Sequence, residues 1–250
     1  MCIRDSYDAT VAAADREVGA LIDALRELAL LDRTIVVVTS DHGEEFGEHG
    51  GFGHGRTLYE EVLHVPLMVC APGIAPHPVS DEVTLADVAP TLLSLCGLEP
   101  LPGAGGRALL PEPAGEEPVI AAEVDEAHLG SQRALWLGGK KLIVVDRMSP
   151  IRPPLPTHAC FDLASDPGEK TNLVRLDADG AALPDAEQPP FLLLLAARLT
   201  DVFAGYSQQR AQLQVDVNAP SVSDPDLEKL GYGVGNEKSR AVGNDKPRDH

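Results

Sequence analysis

Six consecutive β-branched residues, Thr34-Ile35-Val36-Val37-Val38-Thr39, constrain this chain more than any other segment. Branching at Cβ stiffens χ1, disfavours helix and suits a pleated surface. No polar residue alternates through the middle of the run. That pattern predicts a strand covered on both faces, as in parallel α/β sheets. A second run of this kind, Val65-Pro66-Leu67-Met68-Val69-Cys70, ends at Ala71-Pro72-Gly73. Between the two lie a polar, Gly-rich stretch from Ser40 to Thr57 and a short helical segment around Leu58 to Leu63.

Helical spacing appears on both sides of the strand pair. Val11, Ala14, Val18, Leu21, Leu25 and Leu28 recur at intervals of three and four, with Asp15, Arg16, Asp23 and Arg26 between them. Ser6 and Asp8 are candidate caps for this long helix. Leu85 to Cys96 reads as a second amphipathic helix, stopped by Gly97. Residues 99–118, rich in Pro and Gly, read as a connection. Beyond it the rhythm shortens. Val119 to Val124, Ala134 to Leu137, Lys141 to Val145 and Ala159 to Leu163 are strand-like, with turns at Gly138-Gly139 and Asp166-Pro167-Gly168. They predict a small antiparallel sheet that a helix from Pro190 to Phe203 would cover. The expected organisation is an α/β region over 1–110, a small α+β subdomain over 111–215, and an extended or disordered tail over 216–250.

Composition removes several functions. The 20 Lys and Arg face 39 Asp and Glu, for a formal charge of −19. Such a chain does not hold nucleic acid by counterion release, nor dock on an anionic membrane. No apolar run approaches the ~18 residues of a spanning helix. With 44% hydrophobic residues the chain has the composition of a globular protein. The four cysteines, Cys2, Cys70, Cys96 and Cys160, show no CxxC or zinc-type spacing, and they fix no compartment.

The chemistry concentrates in Thr39 to Arg56, which begins at the carboxyl end of the first strand. In open α/β sheets that edge is where ligands bind. Three His and four acidic residues sit there among six Gly. A carboxylate beside an imidazole, Asp41-His42, can supply two ligands to one divalent cation. Glu44, Glu45 and Glu48 read as solvated loop charges rather than ligands.

Four collinear segments carry a resemblance. They are Tyr7-Asp8, Asp15, Val18-Gly19, Leu21 and Leu25 leading into Asp32 to Glu44, then Gly53 to Leu67, Asp87-Val88-Ala89-Pro90-Thr91-Leu92-Leu93, and Phe161 to Leu173 with its Asp166-Pro167-Gly168-Glu169-Lys170-Thr171-Asn172 core. In this order, over roughly residues 7–175, the chain resembles the sulfatases of the alkaline phosphatase superfamily. The resemblance implies a partial alkaline-phosphatase-like sheet with flanking helices, followed by a small C-terminal sheet. It implies that Asp41 and His42 ligate the active-site cation, usually calcium in that family; a histidine ligand leaves manganese or zinc open. It places His54 where the family has a basic residue against the sulfate oxygens, often Lys, with Arg56 as the second candidate. The implied substrate is a small-molecule or carbohydrate sulfate ester.

The family's nucleophile is a formylglycine made from Cys or Ser in a Cys/Ser-x-Pro-x-Arg motif. Cys70-Ala71-Pro72-Gly73-Ile74 lacks the Arg and ends a strand, and Ser149-Pro150-Ile151-Arg152 has the wrong spacing. The expectation is therefore the carboxy-terminal portion of a longer sulfatase, with formylglycine in the missing part. The alternatives are a phosphonate or phosphate ester hydrolase of the same superfamily and a non-catalytic scaffold.

Overall fold

The computed structural model describes residues 3–79, 81–101, 105–110, 120–126, 130–147, 157–175, 177, 184 and 187–212. The candidate Ser149 to Arg152 and the expected tail over 216–250 lie outside them. Residues 1–204 form one compact unit and 205–250 a second. Of the second, residues 205–212 are described, as helix. No described helix is long and apolar enough to cross a membrane.

Helix α1 spans Ile3–Glu27. It starts a turn before the expected caps, so Ser6 and Asp8 lie inside it, and Asp5 supplies the acidic side chain of the first turn. The predicted apolar stripe is present but uncovered: α1 buries no residue, and Val11, Val18 and Leu21 are exposed. The helix closes with Leu30 N–H on the Leu25 carbonyl (2.8 Å) and Ala29 N–H on that of Arg26 (3.1 Å). This is a Schellman ending, with Ala29 in the left-handed region at φ 53°.

Strand β1 is Val36–Thr39. The chain then makes two short strands, β2 (Glu45–Phe46) and β3 (Phe52–Gly53), which pair antiparallel. Helix α2 follows at Glu60–Leu63 and strand β4 at Leu67–Cys70. Here the parallel expectation is corrected. β1 and β4 pair antiparallel, Val36 opposite Cys70 and Thr39 opposite Leu67. Both strands are only half-buried, with Met68 and Cys70 exposed. Continuous β-branching reports a strand; the direction of its partner depends on where the 27-residue connection returns the chain. Among the described residues no third strand joins this pair.

The expected helix over Leu85 to Cys96 divides into a single 3-10 turn, Leu85–Asp87, and α3, Val88–Leu95. Buried Asp87 sits at the junction. Its carboxylate accepts the N–H groups of Thr84 (2.8 Å) and Arg107 (2.7 Å). Thr91 Oγ1 donates to the Asp87 carbonyl and accepts from Leu109 N–H, pinning residues 106–110 to α3. Gly97 ends the helix at φ 66° as expected.

The small antiparallel sheet is present. Strands β5 (Ile120–Glu126), β6 (Gly130–Leu137), β7 (Lys140–Arg147) and β8 (His158–Asp162) form a meander in sequence order. Gly138 and Gly139, both at positive φ, turn β6 into β7 in two residues. Alternation divides the sheet's side chains between two cores. One face packs Ala134, Trp136, Ile143, Ala159 and Phe161 with Leu58 and Tyr59. The other packs Leu135, Leu142 and Cys160 with Leu192, Leu195 and Leu199 of α4 (Pro190–Gln212), the expected covering helix. Segments on either side of residue 110 therefore share a core. Burial pushes the Cys160 thiol up to about 11.

Candidate functional site

β1 delivers the chain to Ser40, and the backbone turns at once. Ser40 Oγ donates to the His42 carbonyl (2.7 Å), and His42 N–H donates to Asp41 Oδ1 (2.9 Å). That N–H, with the His42 imidazole beside it, holds the Asp41 carboxyl below the ordinary aspartate value. Gly43 N–H then donates to the Val62 carbonyl at the end of α2 (2.7 Å). A Cβ at Gly43 would overlap the Glu61 carbonyl oxygen, so the loop lies against α2 only because this residue is glycine.

The Asp41 and His42 side chains stay together: Asp41 Oδ2 lies 3.8 Å from His42 Nε2. Two donors bound to one cation at about 2.0–2.5 Å stand roughly 3–4 Å apart. His42 Nδ1 sits 2.9 Å from the Gly43 carbonyl. A carbonyl can only accept, so Nδ1 carries a hydrogen, and Nε2 is the ring nitrogen on the Asp41 side that can offer a lone pair to a cation. An oriented imidazole beside a carboxylate that is 86% exposed is a donor pair that fits a divalent cation.

His54 comes back to this point from the far end of the Gly-rich loop. Its ring stacks on His42 with centroids 4.0 Å apart, and its Nδ1 pairs with Glu44 Oε1. His42, Glu44 and His54 offer ligand atoms all within 4.8 Å of one another. Glu44 was read from the sequence as a solvated charge; in the structure its side chain is three-quarters covered and orients His54. Arg56 is half-buried. Its carbonyl accepts from Gln132 Nε2 (2.7 Å), and among the described residues no hydrogen bond or ion pair ties its guanidinium to the cluster.

Glu45 corrects its sequence reading. It is buried, accepts from Thr57 Oγ1 (2.9 Å), and its carboxylate fills the space a side chain at Gly51 would need. Glu48 is exposed as expected, paired with Arg4 and accepting Phe46 N–H. His49, the third histidine of the loop, turns away from the cluster into a charged interior. It stacks flat on Tyr59 at 3.7 Å and bridges Glu61 and the Glu169 carbonyl. Lys141 of β7 is fully buried there, 2.8 Å from both Glu60 and Glu169. Burial raises the Glu169 carboxyl against the pull of Lys141. Burial, with Glu169, Glu61 and Glu45 nearby, pushes the Tyr59 phenol up to about 12. No sequence signal marked Lys141, because its partners lie 81 and 28 positions away.

The chain is similar to known proteins. The Sulfatase family model matches residues 3–98. Arylsulfatase K of Bos taurus is 36% identical over 185 residues, covering 68% of this chain and 33% of that protein. Choline-sulfatase of Rhizobium meliloti (strain 1021) is 35% identical over 176 residues, with the same coverage. Among solved structures, BT4656 in complex with its substrate D-glucosamine-2-N,6-O-disulfate superposes with a TM-score of 0.61 at 24% identity, covering 84% of this chain and 41% of that one. A phosphonate monoester hydrolase from Silicibacter pomeroyi superposes with a TM-score of 0.56 at 26% identity, covering 79% and 38%. The chain spans about a third of the length of the relatives it matches. With its four motif segments in order, the Asp-His pair at the strand end and the small C-terminal sheet all in place, the chain belongs to the sulfatase family of the alkaline phosphatase superfamily.

Proposed function

We propose that this chain is the cation-holding and C-terminal part of a metal-dependent sulfuric ester hydrolase. The observation that carries the reading is the meeting of His42 and His54, from opposite ends of one Gly-rich loop, over Asp41 and Glu44. Asp41 and His42 are the proposed cation ligands, with Glu44 within reach. A divalent cation bound there supplies positive charge against the oxygens of a sulfate group, where negative charge accumulates during hydrolysis. Calcium is the family's usual ion; the imidazole donors keep manganese and zinc in the reading.

His54 is the proposed donor to substrate. Glu44 occupies its Nδ1 and leaves Nε2 of the half-exposed side chain for another partner. With a hydrogen on each ring nitrogen, Nε2–H can donate to a sulfate oxygen or pass its proton to the leaving alkoxide, leaving the Nδ1–H on Glu44. Arg56 is the second candidate for the sulfate oxygens, reached by a side-chain rotation. The nucleophile, which the resemblance makes a formylglycine, belongs in this reading to enzyme sequence outside the chain. The substrate class is a small-molecule or carbohydrate sulfate ester.

A second reading rests on the 26% identity to the phosphonate monoester hydrolase: the same cation site would serve phosphoryl chemistry. Joining this chain to its upstream reading frame and assaying an aryl sulfate against an aryl phosphonate separates the two. Chelator and Asp41→Ala are each expected to lower sulfate hydrolysis by about 10²-fold or more. Asp41 is exposed, so its loss leaves the fold intact. Undiminished sulfate turnover in that variant overturns the assignment, phosphonate turnover alone moves it to the second reading, and neither activity leaves a non-catalytic scaffold.

A further inference from the structure

The interior beneath the metal loop contains more charge than packing requires. Lys141 has no exposed side-chain surface. Its ammonium lies 2.8 Å from Glu60 Oε1 and 2.8 Å from Glu169 Oε1, and 4.7 Å from the centre of the Trp136 ring. Glu60 Oε1 also accepts Trp136 Nε1–H (3.1 Å). The other Glu169 oxygen accepts the Glu60 backbone N–H (2.6 Å), which lies in the first turn of α2. Glu169 reaches this position from a left-handed backbone at φ 52°. Its carbonyl faces His49 Nε2 at 3.0 Å, while His49 Nδ1 faces Glu61 Oε1 at 2.6 Å. Both His49 nitrogens meet oxygen acceptors, so the bridge is complete when both carry hydrogen.

Apart from the Lys141–Glu169 and Lys141–Trp136 contacts, which join Lys141 to its own surroundings, each of these contacts ends on α2 or on the loop. α2 has only four residues and no side-chain cap of its own, so its placement comes from outside it. Glu169 holds its first N–H, Lys141 holds Glu60, and His49 holds Glu61. At the other end of α2 the Val62 carbonyl receives Gly43 N–H, the residue between His42 and Glu44. Lys170 Nζ adds a direct bond to the Glu48 carbonyl of the loop (2.9 Å).

We propose that Lys141, Glu169 and His49 are positioning residues for the metal loop. Through α2 they transmit the fixed geometry of the C-terminal sheet to Gly43, and so to His42 and Glu44. None of the three is among the proposed cation ligands or substrate contacts. The C-terminal sheet thus sets the separation of the ligands as well as closing the fold. The inference rests on the metal reading only for its effect on affinity; its mechanical content is independent of any ion.

The test uses the whole chain and two readouts, Mn2+ binding by calorimetry and hydrogen exchange at the Gly43 amide. The variants are Lys141→Met, Glu169→Gln and His49→Gln, with Leu142→Ala as the control that weakens the same sheet from its opposite face. Each of the three is expected to weaken Mn2+ binding by about tenfold or more and to speed Gly43 exchange, while amides of β6 and β7 stay protected. His49→Gln lies outside the sheet and answers the question even if Lys141→Met fails to fold. Unchanged Gly43 exchange in His49→Gln and Glu169→Gln overturns the proposal. So does equal acceleration in Leu142→Ala, which would mark a general loss of stability. If the parent chain binds no Mn2+, the metal reading fails and Gly43 exchange alone decides the positioning.

Discussion

At the scale of single residues, carboxylates do much of the organising, and two of them, Asp166 and Asp87, do so by accepting backbone N–H groups. Asp166 accepts from Lys170 (3.0 Å) and Thr171 (2.7 Å), and these bonds hold its carboxyl below its ordinary 3.8. A depressed acid stabilises the fold above its unfolded value and loses that contribution as pH falls below 3.8 through the folded value. Asp166→Ala should therefore be less stable than the parent by a constant amount above about pH 5, with the gap closing in stronger acid. Thermal melting of both proteins across that range checks it. Asp87 is the buried counterpart. Asp87→Ala strands the N–H groups of Thr84 and Arg107 and should cost about 3 kcal/mol, read as a denaturant midpoint shift. The sequence displayed Asp41, His42 and His54 because they crowd into one short stretch. It hid Glu45, Lys141 and Glu169, whose burial is decided by partners in other elements. A charge count cannot tell a solvated glutamate from one enclosed by Thr57 and Gly51.

At the scale of elements, period and punctuation were legible and pairing was not. The four short strands of the C-terminal sheet, the Gly138-Gly139 turn and the Gly97 stop all fall where alternation and glycine place them. The β1–β4 pairing did not follow, because a fully β-branched run has no alternation to report which face or direction it uses. The start of α1 was also shifted, since capping residues compete with a helix free to extend through them. Its end offers a clean experiment. Ala29 takes the left-handed position that glycine normally fills, a conformation costing an L-residue about 1–2 kcal/mol. Ala29→Gly should raise stability by about 1 kcal/mol, less the entropy glycine adds to the unfolded chain. A drop in melting temperature would show that the Schellman ending is absent in solution.

At the scale of the molecule, two opposing properties meet on α1. Its apolar residues Ile3, Val11, Val18 and Leu21 are exposed along a helix that buries nothing, and no further described strand is joined to the β1–β4 pair. Uncovered apolar stripes favour association at roughly 25 cal/mol per Å² removed from water. Against this stands a net charge of −19, which drives copies apart. The first term is nearly indifferent to salt. The second is screened within about 10 Å at 0.1 M ionic strength. The chain should therefore be most monomeric at low salt and associate as salt rises, a dependence opposite to that of a complex held by ion pairs. Val18→Lys with Leu21→Lys interrupts the stripe in the C-terminal half of the helix. Because neither side chain is buried, the pair should alter stability by no more than about 0.5 kcal/mol each while suppressing the salt-driven association. Sedimentation velocity across a salt series measures the association, and a melt of the double variant measures the stability. Association that survives the two lysines, or a large fall in melting temperature, would mean that α1 is covered in solution by part of its own chain.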